Sequence, residues 1–293
     1  MPPLPAPSAA RSPWLGIGIT LLAVFVFSLL DTSSKYLGQR YPIAMVVWAR
    51  YAVHTLLMLL VFAPRMGGSL LHTRRPGMQL LRGLLLFSVT VLFVTGLKYI
   101  PLAEATAIMY LTPLLVVVFS VPLLGERVDR ATWLAVLAGL VGVLVVVRPG
   151  GALLSFAVLL PLGGALANSL YQIITRKFSG SESGVTTNFI TGLCGTLLAS
   201  CALPFVWVTP TLADSAVMGL LGLCGYGGHA LLIKAFDYAS PASLAPYTYS
   251  QIVSSTLIGL WVFEALPDAV SIAGMILIAG SGVWVALRRR RAA

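Results

Sequence analysis

The side chains of this sequence that could do chemistry are polar groups set inside long apolar runs. Arg50 and His54 lie one helical turn apart in one such run, and Asp31 lies in the run before it. A charge inside an apolar helix is costly unless it finds a counter-charge, so Arg50 needs an anion. We predict either a structural ion pair between Arg50 and Asp31 or capture of a substrate carboxylate or phosphate by Arg50. His54 is then either a packing residue or part of the same site.

A second polar set follows one face of the apolar run 243–263. Its members share helical spacing, and they are Ser243, Tyr247, Ser250 or Gln251, and Ser254, with Tyr249 beside them. A surface in contact with lipid would not be built from these residues. The run 104–124 carries a matching set, Thr106, Tyr110 and Pro113, in which Pro113 frees a backbone carbonyl and permits a kink. We predict that both sets line one cavity; hydrogen bonding between helices without a cavity is the alternative.

The other candidates fall into two groups. In the glycine-rich run 215–236, Tyr226 and His229 are predicted to face the cavity. The second group contains predicted gate residues or structural charges: Lys35, Tyr99, Glu126, Arg127, Asn168, Tyr171 and Glu264. Interfacial anchoring is an equal alternative for Tyr99, and a solvated turn is the alternative to a latch at Glu126 and Arg127.

Composition decides the class of protein. The chain has 293 residues, of which 58% are hydrophobic and 10% charged, and its mean hydropathy is +0.94. Soluble domains carry about 25% charged residues, so we identify an integral membrane protein. The net charge of +10 indicates membrane topology and not a nucleic-acid patch, because the basic residues lie between apolar runs and at the C-terminus.

The sequence offers none of the motifs of an enzyme. It contains no HExxH, GxSxG or P-loop pattern, and the segments between its apolar runs are too short to hold a soluble site. Cys194, Cys201 and Cys224 have no metal-ligand spacing. We therefore expect no catalysis, no metal and no cofactor.

Ten apolar runs, predicted to be transmembrane helices, must position these side chains. They are 14–35, 42–62, 80–98, 104–124, 131–147, 152–175, 186–208, 215–236, 243–263 and 269–287. Ten crossings place both termini on one side, and most of the 19 Lys and Arg residues fall there, so we predict cytoplasmic termini. Residues 1–13 are interpreted as a disordered cytoplasmic leader and residues 288–293 as a basic cytoplasmic tail.

The two halves of the chain, 14–150 and 151–287, resemble each other. The charged turn at Glu126, which joins two apolar runs, recurs in weaker form at Glu264. Each half holds five predicted spans, and because five is odd the second half enters the membrane upside down. We predict an all-α integral membrane protein in which two inverted five-helix repeats surround a central cavity.

The sequence resembles the EamA family of the drug/metabolite transporter superfamily over nearly its whole length. The matching residues are the phrase Tyr99-Ile-Pro-Leu-Ala-Glu-Ala-Thr-Ala-Ile108, Pro113, Leu124-Gly-Glu-Arg-Val128, Gly139 and Gly142 before Arg148-Pro-Gly150, and also Lys35, Arg50 and Arg82-Gly83. The second half departs from this pattern, with Gln251 in place of Pro113 and Phe263-Glu264-Ala265 in place of Gly-Glu-Arg. The resemblance implies ten helices around a central cavity, with the fifth and tenth spans more peripheral.

We predict a secondary transporter that moves a small amphipathic metabolite, an amino acid or a related compound, across the inner membrane by alternating access, with export as the expected direction. Uptake or exchange of S-adenosylmethionine-like or nucleotide-like metabolites is the alternative, and a channel-type pore is the alternative of another class. Facilitated transport is expected, because no Asp or Glu falls near a predicted midplane and only His54 and His229 could carry protons at depth. The expected partners are a small-molecule substrate and the lipid bilayer, not nucleic acid, and a homodimer is permitted.

Overall fold

The computed structural model describes residues 13–147, 156–177, 183–239 and 241–292, and the regular structure of these segments is helical. The main helices are α1 (Pro13–Gly38), α2 (Ile43–Met66), α3 (Pro76–Tyr99), α4 (Leu102–Met109), α5 (Thr112–Leu124), α6 (Arg130–Val147), α7 (Leu159–Lys177), α8 (Gly184–Val206), α9 (Leu212–Phe236), α10 (Pro241–Thr248), α11 (Ser250–Phe263) and α12 (Ala269–Ala292). Short 3₁₀ helices cover Gly67–Leu71 and Phe156–Val158. Residues 1–12 of the predicted leader lie outside the described residues. At the other end, α12 continues to Ala292 and so includes most of the predicted tail.

Eight helical segments of the described residues are long and apolar enough to cross a membrane. They are Pro13–Gly38, Ile43–Leu71, Pro76–Tyr99, Leu102–Leu124, Arg130–Val147, Gly184–Val206, Leu212–Phe236 and Ala269–Arg288. The two remaining predicted spans correspond to α7 and to α10 with α11. The helix α7 carries Asn168, Gln172 and Arg176, while α10 and α11 are only eight and 14 residues long. Residues 152–155, where the sixth span was predicted to begin, lie outside the described residues.

Large apolar side chains cover the outer surface of the helices. Leu212, Phe205 and Trp261 are 90%, 87% and 85% exposed. In water such faces would drive aggregation, whereas lipid tails solvate them well. The exposed faces therefore suit a protein embedded in a bilayer.

Two of the helical segments are interrupted at corresponding places. The helix α4 ends at Met109 and α5 begins at Thr112, with Pro113 in its first turn. A proline cannot donate a helical N–H, so the ladder of hydrogen bonds is broken there. In the second half α10 ends at Thr248 and α11 begins at Ser250, although no proline follows that break.

The helices α5 and α11 also end alike. Gly125 caps α5 with φ 69° and Glu264 caps α11 with φ 52°, both in the left-handed conformation. Glycine adopts this conformation without strain, whereas other residues rarely do. Among the described residues other than glycine, Glu264 is the one with a positive φ. Glu264 thus takes the place of Gly125, one residue away from the Glu126 with which the sequence comparison aligned it.

The helices of the first half pack mainly on those of the second. The contacts pair α1 with α9, α3 with α7, α2 with α8, α4 with α11 and α6 with α12. The helices of the two halves can be matched in order, α1 with α7, α2 with α8, and so on to α6 with α12. Under this match the pair α1 and α9 corresponds to the pair α7 and α3, which is also in contact. The contact of α1 with α11 likewise becomes that of α7 with α5, which is also present.

The pair α6 and α12 is held together by backbone contact. A Cβ atom added to Gly142 would lie 2.9 Å from the carbonyl oxygen of Gly274, and one added to Gly274 would lie 2.8 Å from that of Gly142. Only glycine allows helices to approach this closely in a membrane. This pair makes few contacts with α1, α2 and α3, so the polar residues described below lie elsewhere.

Candidate functional site

A polar network joins α1, α4 and α11 beside the two helix breaks. The amide Nε2 of Gln251 donates a hydrogen bond of 2.9 Å to Oδ2 of Asp31. The hydroxyl of Tyr110 lies 2.9 Å from Oε1 of Gln251 and 2.6 Å from the carbonyl oxygen of Thr248, which the break leaves without a helical partner. Gln251 therefore connects the carboxylate of Asp31 to the Tyr110 hydroxyl.

A cluster of hydroxyl groups lies next to this network. Ser28 of α1 and Ser254 of α11 are 2.7 Å apart, and Ser255 donates to Ser28 at 3.3 Å. Thr106 of α4 donates to Ser255 at 3.4 Å. These bonds join the same three helices as the Gln251 network, so α1, α4 and α11 share a continuous polar seam.

Tyr249 and Tyr110 form an aromatic pair at the end of this seam. Their ring centroids are 4.9 Å apart with an angle of 46° between the planes. The hydroxyl of Tyr249 points at α12, where a Cβ atom on Gly282 would lie 1.8 Å from it. Tyr249 therefore packs into a notch that Gly282 leaves open, and its ring rather than its hydroxyl faces the seam.

A second polar group lies between α2, α8 and α9. The ring of His54 is 6.0 Å from Tyr226 and 6.4 Å from His229, both in edge-on contact. His54 and His229, but not Tyr226, border a cavity of about 20 Å³, whose lining residues are Arg50, Tyr51, His54, Leu86, Asn188, Thr191, Gly192, Gly225 and His229. This volume holds about one water molecule.

Arg50 lies between the two polar groups. It borders the cavity together with His54 and His229, and it is close enough to Asp31 for the two charges to interact. Among the contacts of the described residues, its guanidinium forms no hydrogen bond and no ion pair. A direct ion pair between Arg50 and Asp31, one of the two sequence predictions, is thus not made in this conformation.

Comparison with known proteins agrees with these structural features. A sequence model of the EamA-like transporter family matches residues 14–148. An S-adenosylmethionine uptake transporter of Rickettsia bellii is 30% identical, and the match covers 95% of each chain. The chain belongs to the EamA-like transporter family. It is a multi-pass membrane transporter of small metabolites in the drug/metabolite transporter superfamily, as the sequence resemblance implied.

Other relatives of this EamA-like transporter differ in cargo. The pseudopaline exporter CntI of Pseudomonas aeruginosa is 29% identical over 90% of this chain and 93% of its own. A riboflavin transporter of Rhizobium johnstonii is 27% identical over 92% of this chain and 91% of its own. A crystal structure at 25% identity has a TM-score of 0.65 and covers 96% of this chain and 99% of that one. The family is therefore settled, while the named relatives include both an uptake transporter and an exporter.

Two of the predicted gate residues of this EamA-like transporter, Lys35 and Tyr99, meet at the connection between α3 and α4. The Nζ of Lys35 donates to the carbonyl oxygens of Leu97 and Ile100 at 2.6 and 2.7 Å, so it ties α1 to the end of α3. Tyr99, in the same connection, is 62% exposed and does not enter the polar seam. This position suits the interfacial anchoring that was the alternative to a gate.

The turn between α5 and α6 carries ion pairs to the second half. Glu126 pairs with Arg176 of α7 at 2.5 Å, and Arg288 of α12 donates to Asp129. Arg127 is exposed, as is Glu264 in the corresponding turn after α11. The pair from Glu126 to α7 is a contact that a latch could use.

Several predicted cavity residues lie away from both polar groups. Tyr247 is 36% exposed, and the hydroxyl of Ser250 donates to the backbone of Tyr247. Asn168, which is predicted as a gate residue, is half-buried on α7. The stripe predicted along 243–263 crosses the break between α10 and α11, and its members lie on both of these helices.

Some polar residues of the core were missed by sequence reasoning. They are Ser28, Gln79, Thr187, Asn188, Thr191 and Ser255, together with Arg82, which had been noted only as a family match. Ser28, Asp31 and Lys35 share helical spacing on α1, and this was the available signal. Serine and threonine in membrane helices commonly bond their own backbone, so their spacing alone is weak.

Proposed function

We propose that this protein is a secondary carrier for a small amphipathic metabolite with an amino-acid head group. The observation that carries the proposal is a pair of opposite charges, Arg50 and Asp31, that face the same core without pairing directly. An ionisable residue within a membrane helix is costly and commonly marks a substrate pathway, and the half-buried Arg50 has no direct partner among the described residues. A carboxylate would bind Arg50 and an ammonium group would bind Asp31.

The geometry around Asp31 supports the ammonium assignment. Its Oδ2 accepts from Gln251, and its carboxylate is otherwise open to accept a further donor. The Tyr110 and Tyr249 rings, 4.9 Å apart, offer an apolar surface next to it. A zwitterionic head with an apolar or aromatic body matches this combination of groups.

Alternating access between two inverted repeats is the mechanism we infer. Support comes from the packing pattern. When α1 to α6 are matched in order with α7 to α12, the pairs α1–α9 and α1–α11 correspond to the pairs α7–α3 and α7–α5, which are also in contact. Support comes also from the cavity of about 20 Å³. Binding sites for small molecules occupy about 300–1,000 Å³, so a metabolite requires the helices to move apart.

One of the named relatives supports an amino-acid derivative as cargo, whereas the riboflavin transporter does not. S-adenosylmethionine, the cargo named for the Rickettsia bellii relative, contains a methionine-derived α-amino acid. Uptake of a compound of this class is therefore the second candidate function. Export stays a prediction, since an exporter is also among the relatives.

Counterflow in proteoliposomes tests the proposal. Vesicles loaded with unlabelled compound would be assayed for entry of labelled L-methionine, aromatic amino acids, S-adenosylmethionine and nucleotide sugars. We expect saturable counterflow for at least one compound with an amino-acid head, and a channel would give flux that does not saturate.

Substitution of Arg50 tests directly whether this residue binds the carboxylate of the transported compound. Arg50→Gln is expected to lower counterflow of a carboxylated compound about tenfold or more, because one charge-assisted bond is lost. Arg50→Lys should retain part of it, and the exposed Arg40, changed to Gln, is the matched control. Equal activity of Arg50→Gln and wild type would refute the assignment of the carboxylate.

A further inference from the structure

A third polar group lies at the predicted cytoplasmic end of the bundle, between α3, α7 and α8. Gln79 and Arg82 occupy one face of α3 and are 2% and 7% exposed. The Nε2 of Gln79 donates to Oγ1 of Thr187 on α8 at 3.0 Å. The guanidinium of Arg82 lies over the ring of Tyr171 on α7, with 5.4 Å from its central carbon to the ring centroid.

Both side chains keep polar atoms without a partner. The Nε of Arg82 and the Oε1 of Gln79 are buried and form no hydrogen bond. Within the part of the chain that the structure describes, Arg82 has no ion pair either. A cation–π contact offsets only part of the cost of burying a guanidinium. The arrangement therefore presents one open cationic donor and one open acceptor next to each other.

This group lies about one helical turn from the cavity that Arg50 borders. Leu86, one helical turn beyond Arg82, lines the cavity that Arg50 borders. Thr191, one turn beyond Thr187, lines the same cavity from α8. Each step is one helical turn, so Arg82 and Thr187 are the next polar positions on α3 and α8 toward this end of the bundle.

We propose that Arg82 and Gln79 form a second head-group subsite for the transported metabolite. Arg82 binds the carboxylate and Gln79 Oε1 accepts a hydrogen bond from the ammonium group. The subsite rests on the proposed function, since it handles the same head group, and it serves the state that is open to the cytoplasm. A lipid phosphate fits less well, because a headgroup would need an exposed guanidinium and Arg82 is 7% exposed.

Transport measured separately from each side of the membrane tests the subsite. Inside-out and right-side-out membrane vesicles would be assayed with L-methionine and with L-methioninamide, which lacks the carboxylate. We expect Arg82→Gln to raise the half-saturating methionine concentration at the cytoplasmic face about tenfold or more, with a much smaller change at the outer face. Arg82→Lys should restore part of the affinity, methioninamide should respond to neither change, and the exposed Arg65, changed to Gln, is the matched control.

Thermal unfolding of the ligand-free protein supplies a readout that needs no transport. If Arg82 serves to bind a ligand, Arg82→Leu removes an uncompensated charge. The unfolding temperature should then be equal to or higher than that of the wild type. If Arg82 is structural, Arg82→Leu and Arg82→Gln both lower it, and this result would overturn the subsite. A failure of the proposed function shows itself differently, as a wild type that moves none of the amino-acid compounds in either orientation. An equal loss at both faces in Arg82→Gln would also refute the assignment.

Discussion

Asp31→Asn separates a binding role for this carboxylate from a structural one. The change keeps the size of the side chain and keeps an oxygen that accepts from Gln251, whose amide nitrogen is now 2.9 Å from Oδ2. What is lost is the charge that would bind an ammonium group. Asp31 is 7% exposed, so solvent does not screen that interaction.

The magnitude follows from the type of bond that is replaced. Hydrogen bonds to a charged partner contribute about 1.5–3 kcal/mol, and neutral ones about 0.5–1.5 kcal/mol. The difference of about 1–1.5 kcal/mol corresponds to an increase of about tenfold in the half-saturating concentration of L-methionine. For 4-(methylthio)butanoate, which has the carboxylate but no ammonium group, we expect almost no change.

The assay is counterflow, because exchange of labelled for unlabelled compound does not require proton coupling. Asp214→Asn is the matched control: Asp214 has the same exposure of 7% but accepts a hydrogen bond from the Tyr41 hydroxyl at 2.7 Å, away from the polar seam. An equal effect of Asp31→Asn on both compounds would show that the carboxylate shapes the protein and does not bind the ammonium group.

Three further predictions concern the turn between α5 and α6 and the helix pair α6 and α12. Glu126→Gln breaks the ion pair with Arg176 and is expected to change transport rates if that pair is a latch; unchanged rates would remove the latch. Thr132, whose backbone N–H donates to Asp129, holds the pKa of Asp129 below its usual value, so this contribution to stability is present above about pH 4 and is lost as the pH falls through the lowered pKa. Asp129→Asn should therefore lower the unfolding temperature near neutral pH and not at strongly acidic pH, and a difference that persists in acid would contradict this. Gly142→Leu should lower the unfolding temperature by several degrees, because the added atoms meet the backbone of α12.

The helices and the family were predictable because their signals are local. Apolar runs of membrane length mark the spans, and a proline such as Pro113 interrupts a helix through its own missing N–H. The break at Tyr249 was not predictable in this way, since no proline follows it in α11. The sequence therefore predicts a continuous polar stripe along 243–263, whereas in the structure Tyr247 is exposed and Gln251 bonds to Asp31.

The neighbours of Asp31 were also not predictable from sequence. Counting residues put it toward the outer end of its span, but in the structure it contacts Gln251 beside the helix breaks. Residue counts give position along one helix, whereas the neighbours of a side chain depend on how that helix packs against others. Asp31 thus joins His54 and His229 as a group that could carry a proton within the core.

The polar groups that most inform function are those that the fold leaves incomplete. Lys35 and Gln251 find protein partners in α3 and α1, and their role in holding the helices is thereby explained. Among the described residues, the half-buried Arg50 and the buried Arg82 form no hydrogen bond with their guanidinium groups and no ion pair, although an ionisable group within a membrane helix is costly. Folding alone would favour an apolar residue at either position. The cost is therefore best explained by cargo that carries the missing negative charge and meets the two arginines in turn.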